Sequence, residues 1–95
     1  MIHAMTKTRY RELERIVKGA ANHRRLQILE LVAEKPELSV MEIARELSVN
    51  FKTIAEHVRR MAIAGLVMKR NDENAVRHKL TPRGNAILKF LRTLE

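Results

Sequence analysis

Polar and charged side chains recur at helical spacing between positions 52 and 60 of the chain. Lys52, Thr53, Glu56, His57 and Arg60 are spaced so that they share one side of a helix. Lysine, threonine, histidine and arginine can donate hydrogen bonds to base edges and to phosphate oxygens. No nucleophile stands beside a general base in a catalytic motif, and the three glycines are isolated. The pattern therefore favours recognition of a polyanion, and we do not expect an enzyme.

Two short helices joined by a tight turn are predicted around these residues. Ser39 and Glu42 form an S-x-x-E capping box that can begin the first helix. Asn50 can cap the second, which leaves only the residues near Ser48 for the turn. Each helix has one apolar face, made by Val40, Ile43, Ala44 and Leu47 in the first and by Ile54, Val58 and Met61 in the second. The prediction is a helix-turn-helix whose second helix, about 50–64, carries its polar side outward.

A helix of this kind can lie in the major groove of DNA, with its first residues at base edges and its later cations at phosphates. The candidates for base contact are Asn50, Phe51, Lys52, Thr53, Glu56 and His57. The candidates for phosphate contact are Arg59 and Arg60. Taken alone, these side chains are more typical of an ordinary solvated helix face, but the surrounding helix-turn-helix and hairpin favour contact with DNA. Phe51 could contact a thymine methyl group, although burial against the first helix is favoured.

Two strands are predicted after Gly65, from Leu66 to Arg70 and from Val76 to Leu80. The residues Asn71 to Asn74 supply turn chemistry between them. The hairpin carries Lys69, Arg70, Arg77, His78 and Lys79. Lys69, Arg70, Arg77 and Lys79 are candidates for contact with the DNA backbone or minor groove, and Arg77 and Lys79 share one face of their strand. The alternative is that these charges protect an exposed strand edge from aggregation.

Three further helices complete the predicted fold. The first spans about 6–21, after a segment of five residues without a clear structural signal. The second begins at Asn22 and ends near Glu34, because Pro36 disfavours helical geometry at the residue before it. Its wide apolar stripe is typical of a helix in the middle of a small bundle. Thr81 and Pro82 begin the last helix, about 82–94.

Composition limits the class of protein. Ninety-five residues, 45% of them apolar and few of them Gly or Pro, predict one domain over residues 1–95. The net charge is +8, and residues 50–83 hold eight Lys or Arg against three acids, which points to a polyanionic partner such as duplex DNA. No cysteine is present, no apolar run could span a membrane, and the N-terminus lacks a signal-peptide core. We expect a cytoplasmic protein without membrane contact.

The string ELSVMEIARELSVNFKTIAEHVRRMAIAGLV, residues 37–67, resembles the DNA-binding region of ArsR-type winged-helix regulators. The string HKLTPRG, residues 78–84, is similar to the strand-to-helix junction of MarR-type winged helices. The resemblance implies a mainly α winged helix-turn-helix with a small two-stranded β-hairpin, in the order α-α-α-α-β-β-α. In both families the terminal helices form a dimer interface. The residues expected there are Tyr10, Leu13, Val17, Ile87, Leu88, Leu91 and Leu94.

Metal sensing is the activity most associated with ArsR-type proteins, and their cysteine motif lies on the helix before the turn. Ser39 and Met41 stand in that stretch, where thiolates would be expected. The four histidines, His3, His23, His57 and His78, form no metal-binding motif, and each is expected at the surface or at DNA. We expect no metal and no cofactor, with a site of histidines and carboxylates at the dimer interface left open. An effector ligand is not indicated.

The expected function is that of a homodimeric, sequence-specific transcriptional regulator of duplex DNA, most simply a repressor. Two alternatives remain. One is an architectural chromatin protein with weak sequence preference, and the other is a winged helix used for protein contacts.

Overall fold

The computed structural model describes residues 7–95. His3 and the rest of the five-residue segment without a clear structural signal lie outside the described residues. Seven elements follow in the order α-α-α-α-β-β-α, which confirms the predicted winged helix-turn-helix. They are α1 (Lys7–Ala20), α2 (His23–Glu34), α3 (Val40–Leu47), α4 (Phe51–Ile63), β1 (Val67–Asn71), β2 (Val76–Leu80) and α5 (Pro82–Arg92). The helix α2 ends at Glu34 as predicted, and α5 ends two residues before the expected boundary at 94.

Local capping sets the ends of the helix-turn-helix. The Ser39 hydroxyl accepts from the backbone N–H of Glu42, and the Glu42 carboxylate accepts from the N–H of Ser39, so the predicted capping box is confirmed. Ser48 ends α3 in the left-handed region, with φ 54° and ψ 45°. The Asn50 side-chain oxygen accepts from the N–H groups of Lys52 and Thr53, at 2.8 and 3.4 Å. These contacts hold α3 and α4 in a fixed relation across a short turn.

The strands β1 and β2 pair antiparallel, with a register that runs from Val67 opposite Leu80 to Asn71 opposite Val76. The strand β1 begins one residue later than predicted, and the turn is closed by hydrogen bonds between Asp72 and Ala75. Leu38, just before α3, forms a bridge to His78 on the other edge of β2. The backbone N–H of His78 donates to Leu38 O, and Glu37 N–H donates to His78 O. The hairpin is thus anchored to the segment that begins the helix-turn-helix.

The core lies around α2, which packs against the other four helices and against β2. Its residues Ile28, Leu29 and Val32 are buried, which confirms a central position for this helix. Ile43, Ile54, Met61 and Leu66 are fully buried and extend the core under α3, α4 and the start of the hairpin. No helix within residues 7–95 has the length and apolar character needed to cross a membrane.

Two glycines permit close or unusual backbone geometry beside α5. Gly65 follows α4 with φ 77°, a conformation that favours glycine. A Cβ on Gly84 would collide with the carbonyl oxygen of Leu66, so a residue without a side chain lets α5 approach the start of the hairpin. Both positions set the angle at which the hairpin and α5 leave the helix-turn-helix.

Candidate nucleic-acid interface

One face of α4 is fixed in the core while its start remains open to solvent. Ile54, Val58 and Met61 are at most 2% exposed. Lys52 and Thr53, which directly precede Ile54, are exposed, and Asn50 accepts hydrogen bonds from their backbone N–H groups. Fixed helix geometry with exposed side chains at the N-terminus is the arrangement that a major-groove reader requires.

Phe51 is 47% exposed, so the expectation that it buries against the preceding helix is not met. It is the first residue of α4 and stands one turn before Ile54, the first core residue of the helix. Its ring therefore lies at the end of the core rather than within it. Phe51 and Lys52 are thus both exposed at the start of the helix.

Glu56 joins the two arginines that follow it on α4. Its Oε1 accepts from Arg59 Nη2 at 2.6 Å and from Arg60 Nε at 2.9 Å. The hydrogen bonds from Arg59 and Arg60 lower the pKa of Glu56 to about 2. The carboxylate is therefore ionised at neutral pH, and it holds both predicted phosphate contacts in the unbound protein.

His57 is half-buried and contacts α2 rather than standing free on the polar side of α4. Arg25 Nε donates to His57 Nδ1 at 3.1 Å. Because the arginine can only donate, the imidazole is neutral with its proton on Nε2. Burial lowers the pKa of His57, and the charges of Arg25 and Arg60 lower it further. His57 thus links α2 to α4 and presents an Nε2–H donor.

The four hairpin cations fall into two groups. Arg77 Nε donates to Asp72 Oδ2 and its Nη1 to Glu37 O, both at 3.1 Å, and Arg70 Nη2 donates to Glu37 Oε2 at 3.0 Å. Lys69 and Lys79 are exposed. Alternating burial along β2 confirms that Arg77 and Lys79 share the face opposite His78 and Leu80. Both arginines are paired with acceptors near the hairpin, although Arg70 stays exposed, and the two lysines are exposed.

His78 is 2% exposed, so the expectation of a surface or DNA-contacting histidine is wrong at this position. Its Nδ1 donates to Leu38 O at 2.8 Å. Burial lowers the pKa of His78, an effect that the hydrogen bond to Leu38 partly opposes. The residue fastens the hairpin to the segment before α3.

The residues expected at the dimer interface differ in how exposed they are. Tyr10, Leu13 and Val17 on α1 are 41%, 40% and 59% exposed, and Leu94 after α5 is 66% exposed. Ile87 and Leu91 are partly buried against the core. Leu88 is 3% exposed and belongs to the core, because it lies one turn after buried Gly84 on the inner side of α5. It is therefore not available to a partner.

Three features were not found from the sequence. Phe90, 58% exposed, continues the apolar stripe between Ile87 and Leu94, and its spacing of three and four residues from them was a usable signal. The contact of Arg25 with His57 and the bridge of Leu38 to His78 carry no local signal.

The family comparison decides the class of this interface. The model for the arsR family of bacterial regulatory proteins matches residues 22–69, which contain α2, the helix-turn-helix and the start of the hairpin. The chain belongs to this family. As an arsR-family member it is a DNA-binding transcriptional regulator and not an enzyme.

Solved structures with the same fold extend this result over nearly the whole arsR-family chain. HlyU from Vibrio cholerae N16961 is 28% identical, with a TM-score of 0.80 over 94% of this chain and 97% of that one. HlyU from Vibrio vulnificus CMCP6 is also 28% identical, with a TM-score of 0.76 over 99% and 98% of the two chains. The winged helix-turn-helix domain of Mb0332 from Mycobacterium bovis, described as homodimeric, is 29% identical, with a TM-score of 0.77 over 90% and 78%. A comparison with curated proteins gave no match.

Metal-binding side chains are not grouped in the described part of this arsR-family regulator. Within residues 7–95, no three His, Asp or Glu side chains lie close enough together to hold an ion. Ser39 caps α3 and Met41 is 46% exposed, in the stretch where thiolates were considered.

Proposed function

We propose that this arsR-family regulator binds a two-fold symmetric duplex site as a homodimer and represses transcription by occluding the promoter. The recognition helix α4 lies in the major groove, and the hairpin lies on the backbone or in the minor groove. The observation that carries the proposal is the exposed, capped start of α4 on a helix whose opposite face is fixed in the core. A cytoplasmic location, where bacterial DNA is found, fits this function.

The side chains of α4 take different roles in this proposal. Phe51, Lys52 and Thr53 contact bases. The side-chain NH2 group of Asn50 does so as well, because only the side-chain oxygen is used in capping. Arg59 and Arg60 exchange Glu56 for DNA phosphates, which converts an internal ion pair into backbone contacts. His57 supports α4 through Arg25 and offers its Nε2–H to the groove.

The hairpin contributes phosphate contacts through Lys69 and Lys79, whose ammonium groups are accessible. Arg70 and Arg77 keep the hairpin in position through Glu37 and Asp72. If phosphates displace those acids, the arginines become additional backbone contacts.

Apolar stripes on the terminal helices support the homodimer. Tyr10, Leu13 and Val17 repeat at i, i+3 and i+7 on α1, and Ile87, Phe90 and Leu94 repeat in the same way at the end of the chain. Exposed apolar stripes of this kind mark protein contacts. The homodimeric Mb0332 domain has the same fold.

Selection from random duplexes at physiological salt tests the proposal. Sequencing of the retained DNA should show a two-fold symmetric motif with half-sites roughly 10 bp apart. Retention without an enriched motif would instead support an architectural chromatin protein. No retention would leave the winged helix as a protein-contact module.

A further inference from the structure

A basic cavity lies between α1, the C-terminal half of α4 and the start of α5, with a volume of about 510 Å³. Six cationic side chains line it: Arg15, Lys18, Arg25, Arg59, Arg60 and Arg83. Glu12 is the one acid among its lining residues in the described chain. Several cations around a concave surface raise the local positive potential and concentrate anions there.

Two of these guanidinium groups are held in place by backbone carbonyls. Arg25 Nη1 donates to Lys18 O at 2.8 Å, at the end of α1. Arg83 Nη1 donates to Ala64 O at 3.1 Å, at the end of α4. Each guanidinium has five N–H donors, so both retain donors for a ligand. Because their positions are already fixed, binding an anion costs them little further side-chain entropy.

The cavity also has an apolar wall. Ile16, Gly19, Ile63 and Ala64 contribute to its lining, and Ile63 is 72% exposed. A Cβ on Gly19 would collide with Ala64, so this glycine allows α1 to lie close against α4. A ligand that fits both surfaces carries an anionic group and an apolar part.

We propose that the basic cavity binds a small organic anion, with a carboxylate or phosphate at the arginines and an apolar part against Ile16 and Ile63, and that this anion weakens DNA binding. The helix α5 of a second copy is a poor occupant because it carries Arg83, Lys89 and Arg92 and no acid. Like charges would then face each other. The regulatory half of the proposal rests on the proposed function, and the binding half does not.

Coupling to DNA follows from shared arginines. Arg59 and Arg60 line the cavity and are also the proposed phosphate contacts of α4. Arg25 lines the cavity and holds His57 on the recognition helix. An anion that recruits Arg59 and Arg60 removes them from DNA phosphates, and its charge beside Arg25 alters the support of His57. Linkage requires that DNA weakens anion binding by the same factor.

Titration of the full chain with phenyl phosphate and with sodium benzoate tests the binding half, with benzyl alcohol as the neutral control. Methyl NMR should show shifts at Ile16 and Ile63, while benzyl alcohol produces none. The two anions distinguish phosphate from carboxylate recognition. Absence of binding by both anions, or shifts confined to the hairpin, would overturn the site.

A matched pair of charge reversals on α1 tests the residue assignment. Arg15→Glu should weaken binding of the anion by about tenfold or more, because a cation in the cavity becomes an acid. Arg11→Glu makes the same charge change on the same helix outside the basic cavity, and it should change binding by less than about twofold. Equal effects of the two variants would mean non-specific attraction and would contradict the site.

Fluorescence anisotropy with the selected duplex tests the regulatory half. Saturating anion should lower DNA affinity of the wild type by about fivefold or more. In Arg15→Glu the same anion concentration should have little effect, while affinity without anion matches that of Arg11→Glu. Anion binding with unchanged DNA affinity would overturn the coupling alone. If the protein binds the anion but no DNA, the proposed function and the coupling both fail and the site stands.

Discussion

At the level of single residues, buried His78 makes the stability of the protein depend on pH. It is 2% exposed, and both its backbone N–H and its Nδ1 donate to Leu38 O. Burial lowers its pKa in the folded protein, whereas the unfolded chain keeps a value of about 6.5. Between the lowered folded pKa and about pH 6.5, the unfolded state binds more protons than the folded state, so stability falls as the pH falls through this range.

Replacement of this imidazole isolates its share of the pH dependence. His78→Asn retains a side-chain N–H donor but does not titrate, so it should lose less stability than the wild type between pH 7 and pH 5. The difference should be about 1.4 kcal/mol for each unit by which the folded pKa lies below 6.5. Urea unfolding at the two pH values measures it. The same pH-dependent loss in both proteins would show that folding does not lower the pKa of His78, which would contradict its burial.

On the recognition helix, Glu56 pairs with the two arginines proposed to contact phosphates. Because it holds Arg59 and Arg60, Glu56→Gln should release both arginines to DNA phosphates. We expect higher affinity and a log–log salt slope steeper by about 1 to 2. Anisotropy from low to physiological salt measures both quantities. Glu46→Gln on α3, which loses only an ion pair with Lys35, is the control. A loss of affinity at the selected site would mean that Glu56 contacts a base instead.

At the level of the whole molecule, the proposed homodimer depends on the exposed apolar residues of α1. Val17→Glu places a charge in the proposed interface on α1, at its most exposed apolar residue, which is 59% exposed in the isolated chain. The variant should sediment as a folded monomer and lose affinity for the full symmetric site. Met41→Glu alters an apolar side chain of similar exposure on α3, and it should remain a dimer. A dimeric Val17→Glu would move the interface elsewhere.

The sequence predicts interactions between residues close together in the chain, but not contacts between distant positions. The capping box of Ser39, the cap at Asn50 and the apolar spacing of α2 depend on neighbours within one or two turns, and all three are confirmed. Arg25 and His57 are 32 positions apart, and His78 and Leu38 are 40 apart. These contacts arise only when α2, α4 and the hairpin have packed together, so periodicity and capping could not predict them.

The same distinction explains Phe51 and Leu88. Their residue types and helical positions suited the expected roles, but exposure depends on where the core ends. Phe51 stands before the first core residue of α4, and Leu88 lies beneath the outer apolar stripe of α5. The start of α4 is thus predicted in its secondary structure and capping, while the base contacts assigned to it remain a proposal.

Base reading by the start of α4 is tested most directly by the same random-duplex selection performed with Lys52→Ala and with Lys89→Ala. Lys52 lies at the exposed start of α4, whereas Lys89 is an exposed residue of a different helix, α5. We expect Lys52→Ala to relax the preference at defined positions of each half-site, with a cost of about 1 to 3 kcal/mol at the wild-type site. Lys89→Ala should select the wild-type motif. An unchanged motif and affinity for Lys52→Ala would contradict base reading by this part of α4.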